Sequence, residues 1–230
     1  MEQFARKAIY GALPVPDTLF RKAAPERSIM HIEHAVISDL PRIMEIYACA
    51  RRFMVENGNP RQWGPTNWPP ESLIRSDIEA GNLYVCLRDE GDVVADAGEG
   101  AQKAPGAVKA GSVCTGQASA NRLVVAVFFY IAGADIEPCY AGIEDGAWLD
   151  PSPYGVVHRI ASDGSVKGAG SFCIRWAYEQ CGHLRIDTHP DNKVMQGLLA
   201  KLGFRRCGII HVVEDNDPRY AYELAEFQRG

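Results

Sequence analysis

The chain has 230 residues, of which 47% are hydrophobic and 23% charged, and its formal net charge is -5. This length supports one sizeable hydrophobic core, which we interpret as a single domain. The negative charge argues against nucleic acid as a partner, because phosphate binding needs a concentrated basic face, and it favours a cationic or neutral substrate. No apolar run approaches the roughly 20 residues of a membrane-spanning helix, so no membrane partner is predicted.

The seven cysteines form an odd set without a Cys-x-x-Cys pair, and most lie inside apolar runs. We interpret them as buried thiols and expect a cytoplasmic protein. Cys181 and His183 could share a metal ion, but two ligands without a second pair are more often a helix end, so no metal is predicted. Residues 1–29 lack the continuous apolar stretch of a signal peptide, and we interpret them as an N-terminal extension of a domain spanning residues 30–230. The oligomeric state stays open, with a homodimer as one alternative.

The first predicted elements are a strand and two helices. Residues 32–37 form the strand, and Ser38 is expected to cap a helix that has Pro41 in its first turn and ends at Gly58. The spacing of the apolar residues predicts that one face of this helix belongs to the core. A second helix is predicted over residues 71–80.

The connection between these helices, residues 57–70, is rich in Asn, Pro and Gly and contains Trp63 and Trp68. Exposed indoles in this loop could line the mouth of a substrate site. The alternative, equally consistent with the sequence, is that both indoles anchor the loop to the core.

An interruption follows the next predicted strand, residues 82–87. The tripeptide Val-Val-Ala occurs at residues 93–95 and again at 124–126, where an apolar run over 123–131 begins. The residues between the two copies are rich in Gly and Ala and contain no aromatic side chain. Because such a segment buries too little apolar surface to offset its ordering entropy, we interpret residues 96–126 as a flexible insertion into a hairpin.

A Gly-rich turn, residues 165–171, separates a predicted strand over 154–161 from a predicted helix over 172–181. Glycines in such a turn let the backbone approach an anion, and the start of the helix adds N–H groups and the positive end of its dipole. The turn therefore predicts a phosphate-binding site formed by Ser165, Val166, Lys167, Gly168, Ala169, Gly170 and Ser171. Without a ligand, the same glycines could serve only close packing of the helix on the strand.

A second group of signals follows this turn. Residues 184–188 form a predicted buried strand, Asn192 lies at the start of the next helix, and Leu-Gly-Phe at 202–204 ends that helix. In this order, the Gly-rich turn, the Asn and the Leu-Gly-Phe stop resemble the GNAT superfamily of acyl-CoA N-acyltransferases. The resemblance runs from about residue 30 to residue 227.

The resemblance implies an α/β fold with a mixed, twisted β-sheet flanked by helices and with splayed fourth and fifth strands. The strand-helix-strand order over residues 154–204 predicts parallel pairing in that part of the sheet. Residues 207–213 and 220–227 predict an antiparallel hairpin at the end of the chain.

The resemblance also implies an N-acetyltransferase that moves the acetyl group of acetyl-CoA to an amine acceptor by direct attack in a ternary complex. We expect the acceptor to be a small molecule. Val157, His158 and Ile160 would lie along the pantetheine arm, and a backbone N–H at or near Ile160 would face the thioester oxygen. Asn192 would hydrogen-bond the arm from the other strand; it could also cap its own helix, or leave the cap to Asp191.

Two positions depart from the family's pattern. The turn begins with Ser165 where the family has Gln or Arg, and Lys167 could restore the positive charge. Many members use a Tyr in the following helix to protonate the coenzyme thiolate, and here that position is Leu199. These departures motivate an alternative function, a non-catalytic acyl-CoA-binding or partner-binding protein that keeps the fold.

Several residues are candidates for general acid and base. His158 is a candidate base because imidazole titrates near neutral pH, although a lone His in a strand is more often structural. Glu137 and Glu144 are alternative bases, acting directly or through water, and are otherwise solvated loop carboxylates. Tyr222 is the candidate acid, with Tyr220 as its alternative, and both side chains equally suit the core of a sheet.

Overall fold

The computed structural model describes residues 30–88, 123–212 and 217–225. The strands in these ranges are β1 (Met30–His34), β2 (Leu83–Arg88), β3 (Val124–Gly133), β4 (Tyr154–Ser162), β5 (His183–Thr188), β6 (Arg205–His211) and β7 (Pro218–Ala225). The helices are α1 (Leu40–Glu56), α2 (Glu71–Glu79), α3 (Ala169–Cys181) and α4 (Lys193–Lys201).

The strands form one mixed sheet in the order β1-β2-β3-β4-β5-β7-β6. β4 and β5 are parallel, and every other neighbouring pair is antiparallel. A parallel pair needs a crossover connection, which α3 supplies between these two strands. The predicted mixed α/β sheet, with parallel pairing over residues 154–204, is confirmed.

Helices cover both faces of this sheet. α1 and α2 pack on one face, where Ile43 and Ile74 are fully buried. α3 and α4 pack on the other face, where Ile174 and Leu199 are buried to the same degree. Apolar residues recur every three or four positions along α1, which gives that helix one buried stripe.

The fourth and fifth strands diverge soon after they begin to pair. β4 pairs with β5 only at Gly155 and Val156. On its other side, β4 pairs with β3 through a bulge between His158 and Ala161, which contains Arg159 with a φ of 51°. The predicted splay is confirmed, and we call the space between the two strands the β4–β5 opening.

One helix start differs from its prediction. Ser38 does not cap α1 but lies inside a 3-10 turn, Ile37–Asp39, that leads into the helix. Asp39 precedes α1 instead, and its Oδ2 accepts a hydrogen bond of 3.0 Å from the Val36 N–H. The carboxylate of Asp39 therefore holds the turn, and Ser38 is exposed.

The predicted insertion is described only at its end. Residues 124–126, which the sequence analysis assigned to the insertion, form the first part of β3 and pair with β2. Residues 96–122 of the predicted insertion and the N-terminal extension, residues 1–29, lie outside the described residues.

In the described part of the chain, no helix is both long and apolar enough to cross a bilayer. Of the six cysteines within the described ranges, five are free thiols, namely Cys86, Cys139, Cys173, Cys181 and Cys207.

Candidate functional site

A cavity of about 420 Å³ lies at the β4–β5 opening. Its walls come from α1, the α1–α2 loop, β4, β5, the start of α4 and the last hairpin. Five of the predicted catalytic and coenzyme-binding residues line it: Glu137, Val157, His158, Ile160 and Asn192. The fold therefore brings these five residues, which span 55 positions from Glu137 to Asn192, to one cavity.

Both faces of the sheet contribute to this cavity. On β4, Val157 belongs to the core under α3, whereas the ring of His158 faces Tyr140 on the opposite side. On β5, Ile186 lies under α3 and Asp187 contacts Tyr140. Because successive side chains of a strand point to opposite faces, the cavity passes through the sheet where strand pairing stops. Ligands on the two faces can meet there.

His158 lies between two carboxylates on the face away from α3. Its Nε2 is 2.7 Å from Glu137 Oε2, and its Nδ1 is 3.7 Å from Asp187 Oδ1. The Tyr140 hydroxyl donates a hydrogen bond of 2.9 Å to the same Asp187 oxygen. The ring is 22% exposed, so it is both oriented by its neighbours and reachable from the cavity.

The environment sets the protonation of two of these groups. Burial raises the pKa of Glu137, but the hydrogen bond and charge of His158, together with Cys139, outweigh it and hold that pKa below its ordinary value. Burial and the neighbouring Asp187 carboxylate raise the pKa of Tyr140 well above its ordinary value. Near neutral pH, Glu137 is therefore an anion next to the imidazole, and Tyr140 is a fixed hydrogen-bond donor.

The two indoles of the α1–α2 loop combine both roles that the sequence left open. Trp63 is buried and packs edge-on against Tyr47 at 5.8 Å between ring centroids. Trp68 packs partly buried against the same core. Both side chains also line the cavity, so the loop is anchored to the core and forms the cavity wall with the same residues.

Polar contacts tie this loop to the start of α4. Arg61 Nη2 is 2.7 Å from Asp191 Oδ2. Asn192 caps α4 by accepting a hydrogen bond from the Met195 N–H at 3.0 Å, and its Nδ2 donates to Gln62 Oε1 at 3.0 Å. Asn192 is thus the cap, and Asp191 is engaged elsewhere. The predicted hydrogen bond from Asn192 to a coenzyme arm stays a prediction.

The β4 bulge is held by groups from three other elements. The Tyr47 hydroxyl, on α1, donates to the Arg159 carbonyl at 3.1 Å. Arg159 Nη2 is 2.7 Å from Asp77 Oδ2 on α2, and its guanidinium lies 4.5 Å from the centroid of the Phe129 ring on β3. A left-handed backbone is costly for a residue other than Gly, so these contacts stabilise the bulge next to Ile160.

The Gly-rich turn leads directly into α3. Gly168 precedes the helix with a φ of 88°, a conformation that Gly adopts without steric cost. α3 begins at Ala169, three residues before the predicted start, so Gly170 and Ser171 lie in its first turn. N–H groups in a first turn have no intrahelical partner, which is the arrangement that anion binding needs.

The side chains of the turn have different surroundings. Ser165 donates two hydrogen bonds to Asp163 Oδ1, from its N–H at 2.8 Å and from its hydroxyl at 2.6 Å. Val166 packs against the core, whereas Lys167 is exposed. Ser165 therefore stabilises the turn, and the positive charge available for a phosphate group is that of Lys167. Phosphate binding by this turn stays a prediction.

The structure does not bring Glu144 or Tyr222 to the cavity. The backbone of Glu144 bridges to Ile209, and its side chain is 66% exposed, 3.5 Å from His211. Tyr222 pairs with Ile186 across β5 and β7 and is buried in the core under α3. Of the candidate acids and bases, His158 and Glu137 are the ones that line the cavity.

Two of the residues that surround His158, Asp187 and Tyr140, were not identified from the sequence. A usable signal was present in the strand that contains Asp187, because its charged residues recur at alternate positions, 183, 185 and 187. Charged side chains on one face of a buried strand need partners. Tyr140 offered no such signal, since it lies in a 3-10 turn, Pro138–Gly142, far from Asp187 in sequence. In the ranges described, no group of three or more His, Cys, Asp or Glu side chains could hold a metal ion.

No protein-family model and no curated protein sequence matches the chain. Solved structures do match it. A GNAT family acetyltransferase from Streptococcus agalactiae 2603 is 24% identical, with a TM-score of 0.65 over 86% of this chain and 96% of that one. A GNAT family acetyltransferase from Listeria monocytogenes 4b F2365 is 14% identical, with a TM-score of 0.52 over 84% and 93%. A putative acetyltransferase from Staphylococcus aureus MU50 is 20% identical, with a TM-score of 0.51 over 84% and 97%. The chain thus has the fold of the GNAT acetyltransferases.

Proposed function

We propose that this protein is an acetyl-CoA-dependent N-acetyltransferase that acts on a small-molecule amine by direct attack in a ternary complex. The observation that carries the proposal is the position of His158, which is bonded to Glu137 and lines the cavity at the β4–β5 opening. The GNAT fold supports the same function, but the activity rests on the site rather than on the fold. A cytoplasmic location belongs to this proposal as well.

The residues present fit an acyl-CoA. β4 pairs with β5 only as far as Val156, so the backbone beyond it can pair with an extended chain that contains amides. The first turn of α3, with Gly170 and Ser171, can bind phosphate through its N–H groups. When bound, acetyl-CoA supplies a thioester carbonyl as the electrophile and a thiol as the leaving group.

His158 acts as the general base in this proposal. It accepts a proton from the acceptor ammonium, so that the nitrogen lone pair becomes free to attack the thioester carbonyl carbon. Glu137, an anion because of its lowered pKa, stabilises the imidazolium that forms. Asp187, fixed by the Tyr140 hydroxyl, restrains the ring from the Nδ1 side.

Atoms and protons balance in this step. A C–N bond forms and the C–S bond breaks, giving an amide and a thiol. The acceptor ammonium loses two protons; one leaves through His158 to solvent and the other ends on the sulfur. The β4 bulge, which Tyr47 and Asp77 hold in place, would present a backbone N–H to the carbonyl oxygen as it gains negative charge.

The test is a panel of small amines with acetyl-CoA, in which the free thiol is measured. We expect turnover with at least one amine, and a loss of about 100- to 10,000-fold in the His158→Gln variant with little change in acetyl-CoA affinity. His31→Gln is the matched control, because this His lies on β1 with a 46% exposed side chain. Acetyl-CoA binding without turnover would favour the non-catalytic alternative, for which Leu199, fully buried at the family's Tyr position, is the motivating observation.

A further inference from the structure

Thr188, the last residue of β5, has a hydroxyl that the protein leaves unpaired. The residue is 1% exposed and lines the cavity at the β4–β5 opening. Its Oγ1 has no hydrogen-bond partner among the residues that the structure describes. A buried hydroxyl without a partner is costly, so its presence in the cavity wall points to a partner that is supplied from outside the chain.

Buried polar atoms without a hydrogen-bond partner are concentrated at this cavity. Across the described ranges, three buried side-chain N or O atoms lack a partner: Asn59 Oδ1, Arg159 Nε and Thr188 Oγ1. Arg159 and Thr188 both line the cavity, and Thr188 is the more deeply buried residue of the two. The unsatisfied polar groups therefore point to a ligand in this space rather than to a general packing defect.

The face on which Thr188 lies identifies which ligand it serves. Side chains alternate along β5, so Thr188 shares a face with Ile186, under α3, whereas Asp187 lies on the face of His158. The cavity residues nearest in sequence on the α3 side, Ile186 and Met195, are apolar and can offer the hydroxyl no partner. The acceptor amine belongs beside the carboxylates of the other face, which leaves Thr188 to the coenzyme side.

We propose that Thr188 Oγ1 is a hydrogen-bonding group for an amide of the pantetheine arm of a bound acyl-CoA. This inference rests on the proposed function. The arm carries secondary amides separated by methylene groups, and a cavity wall that combines the Thr188 hydroxyl with apolar Ile186 and Met195 suits both kinds of group. A Thr hydroxyl can donate to the amide carbonyl or accept from the amide N–H, so it suits either end of the amide.

Three proteins and two ligands test the proposal by calorimetry. The proteins are the parent, Thr188→Val, which keeps the shape and removes the hydroxyl, and Thr188→Ser, which keeps the hydroxyl. The ligands are acetyl-CoA and adenosine 3′,5′-bisphosphate, which has the nucleotide end of the coenzyme and no arm. We expect Thr188→Val to bind acetyl-CoA roughly 2- to 10-fold more weakly, the size of one neutral hydrogen bond. Its affinity for the bisphosphate should equal that of the parent, and Thr188→Ser should bind both ligands like the parent.

The melting temperature of the free proteins separates this role from a structural one. Because the hydroxyl is unpaired, Thr188→Val should melt at the same temperature as the parent or higher. Equal acetyl-CoA affinity in Thr188→Val overturns the inference, and so does a lowered melting temperature or an equal loss with both ligands. If the parent itself does not bind acetyl-CoA, the proposed function fails first, and the two failures are thereby distinguished.

Discussion

Gly170 offers a test in which protein stability and coenzyme binding respond in opposite directions. It lies in the first turn of α3, and a Cβ added there would meet only Leu198 Cδ2, at an ordinary contact distance of 3.6 Å. The Cβ that Ala and Asp have in common can therefore be added there without a clash. Gly168 is less suitable, because its φ of 88° would strain any side chain placed there.

Both substitutions at Gly170 should preserve or raise the stability of the free protein. Ala is a better helix residue than Gly by about 1 kcal/mol. Asp in a first turn interacts favourably with the helix dipole, by about 0.3–1 kcal/mol. An unchanged or higher melting temperature in both variants would show that the fold is intact, so that any change in binding can be assigned to the site.

Binding should separate the two variants. A carboxylate roughly 6 Å from one phosphate charge costs about 0.7 kcal/mol in water and about 3 kcal/mol at an effective dielectric constant of 20. We therefore expect Gly170→Asp to bind acetyl-CoA about 3- to 100-fold more weakly than Gly170→Ala, which serves as its steric control. The difference should shrink as salt is added, because the turn is exposed at Lys167. Equal affinity of the two variants in calorimetry would refute phosphate binding at this turn.

Substitutions at Glu137, Asn192 and Glu223 test the remaining assignments. Glu137→Gln should lower turnover about 10- to 100-fold, because it removes the anion beside the imidazole. Glu144 lies outside the cavity, so Glu144→Gln should match the parent. Equal turnover in both variants would remove Glu137 from the site. Asn192→Asp keeps the acceptor that caps α4 but loses the Nδ2 donor, so it should weaken acetyl-CoA binding. Asn192→Ala should also lower the stability of the protein by about 1 kcal/mol, because it removes the cap. Parent-like binding of acetyl-CoA by the Asp variant would make Asn192 only a cap. Burial raises the pKa of Glu223, but His183, the Leu149 N–H and Arg185 outweigh burial and hold this pKa below its ordinary value of 4.5. The stability that this carboxylate contributes is therefore present above pH 4.5 and is lost as the pH falls through the folded-state pKa. Glu223→Gln should therefore be less stable at pH 7 and lose less stability on acidification in denaturation curves, and a parallel pH dependence would contradict this account.

Local signals predicted the order of elements and the Gly-rich turn that leads into α3. Leu-Gly-Phe at 202–204 predicted the end of α4 correctly, because Gly203 follows the helix with a φ of 89° and Phe204 is buried in the core. Asn192 was identified because capping depends on a residue and its neighbours three positions on. Features of this kind involve a few consecutive residues, so a single sequence is enough to show them.

The geometry of the site depends on long-range pairing that the sequence does not display. The left-handed conformation of Arg159 needs Asp77 and Tyr47, which lie 82 and 112 positions away. An Arg in that conformation is uncommon, and nothing in its immediate neighbours indicates it. Ser38 is a case in which a local signal was present but the prediction was wrong. Ser is a favourable cap residue, yet the Asp39 carboxylate holds the turn before α1 instead.

One face of β5, with His183, Arg185 and Asp187, explains why the candidate site lies at the β4–β5 opening. At the start of this strand, where β4 still pairs with it, His183 and Arg185 are buried and both bond to the Glu223 carboxylate. One step further along the same face, β4 has separated and Asp187 lines the cavity beside His158. The same alternation of charged residues thus serves stability where the strands are paired. Where pairing stops, it leaves a carboxylate within reach of a ligand.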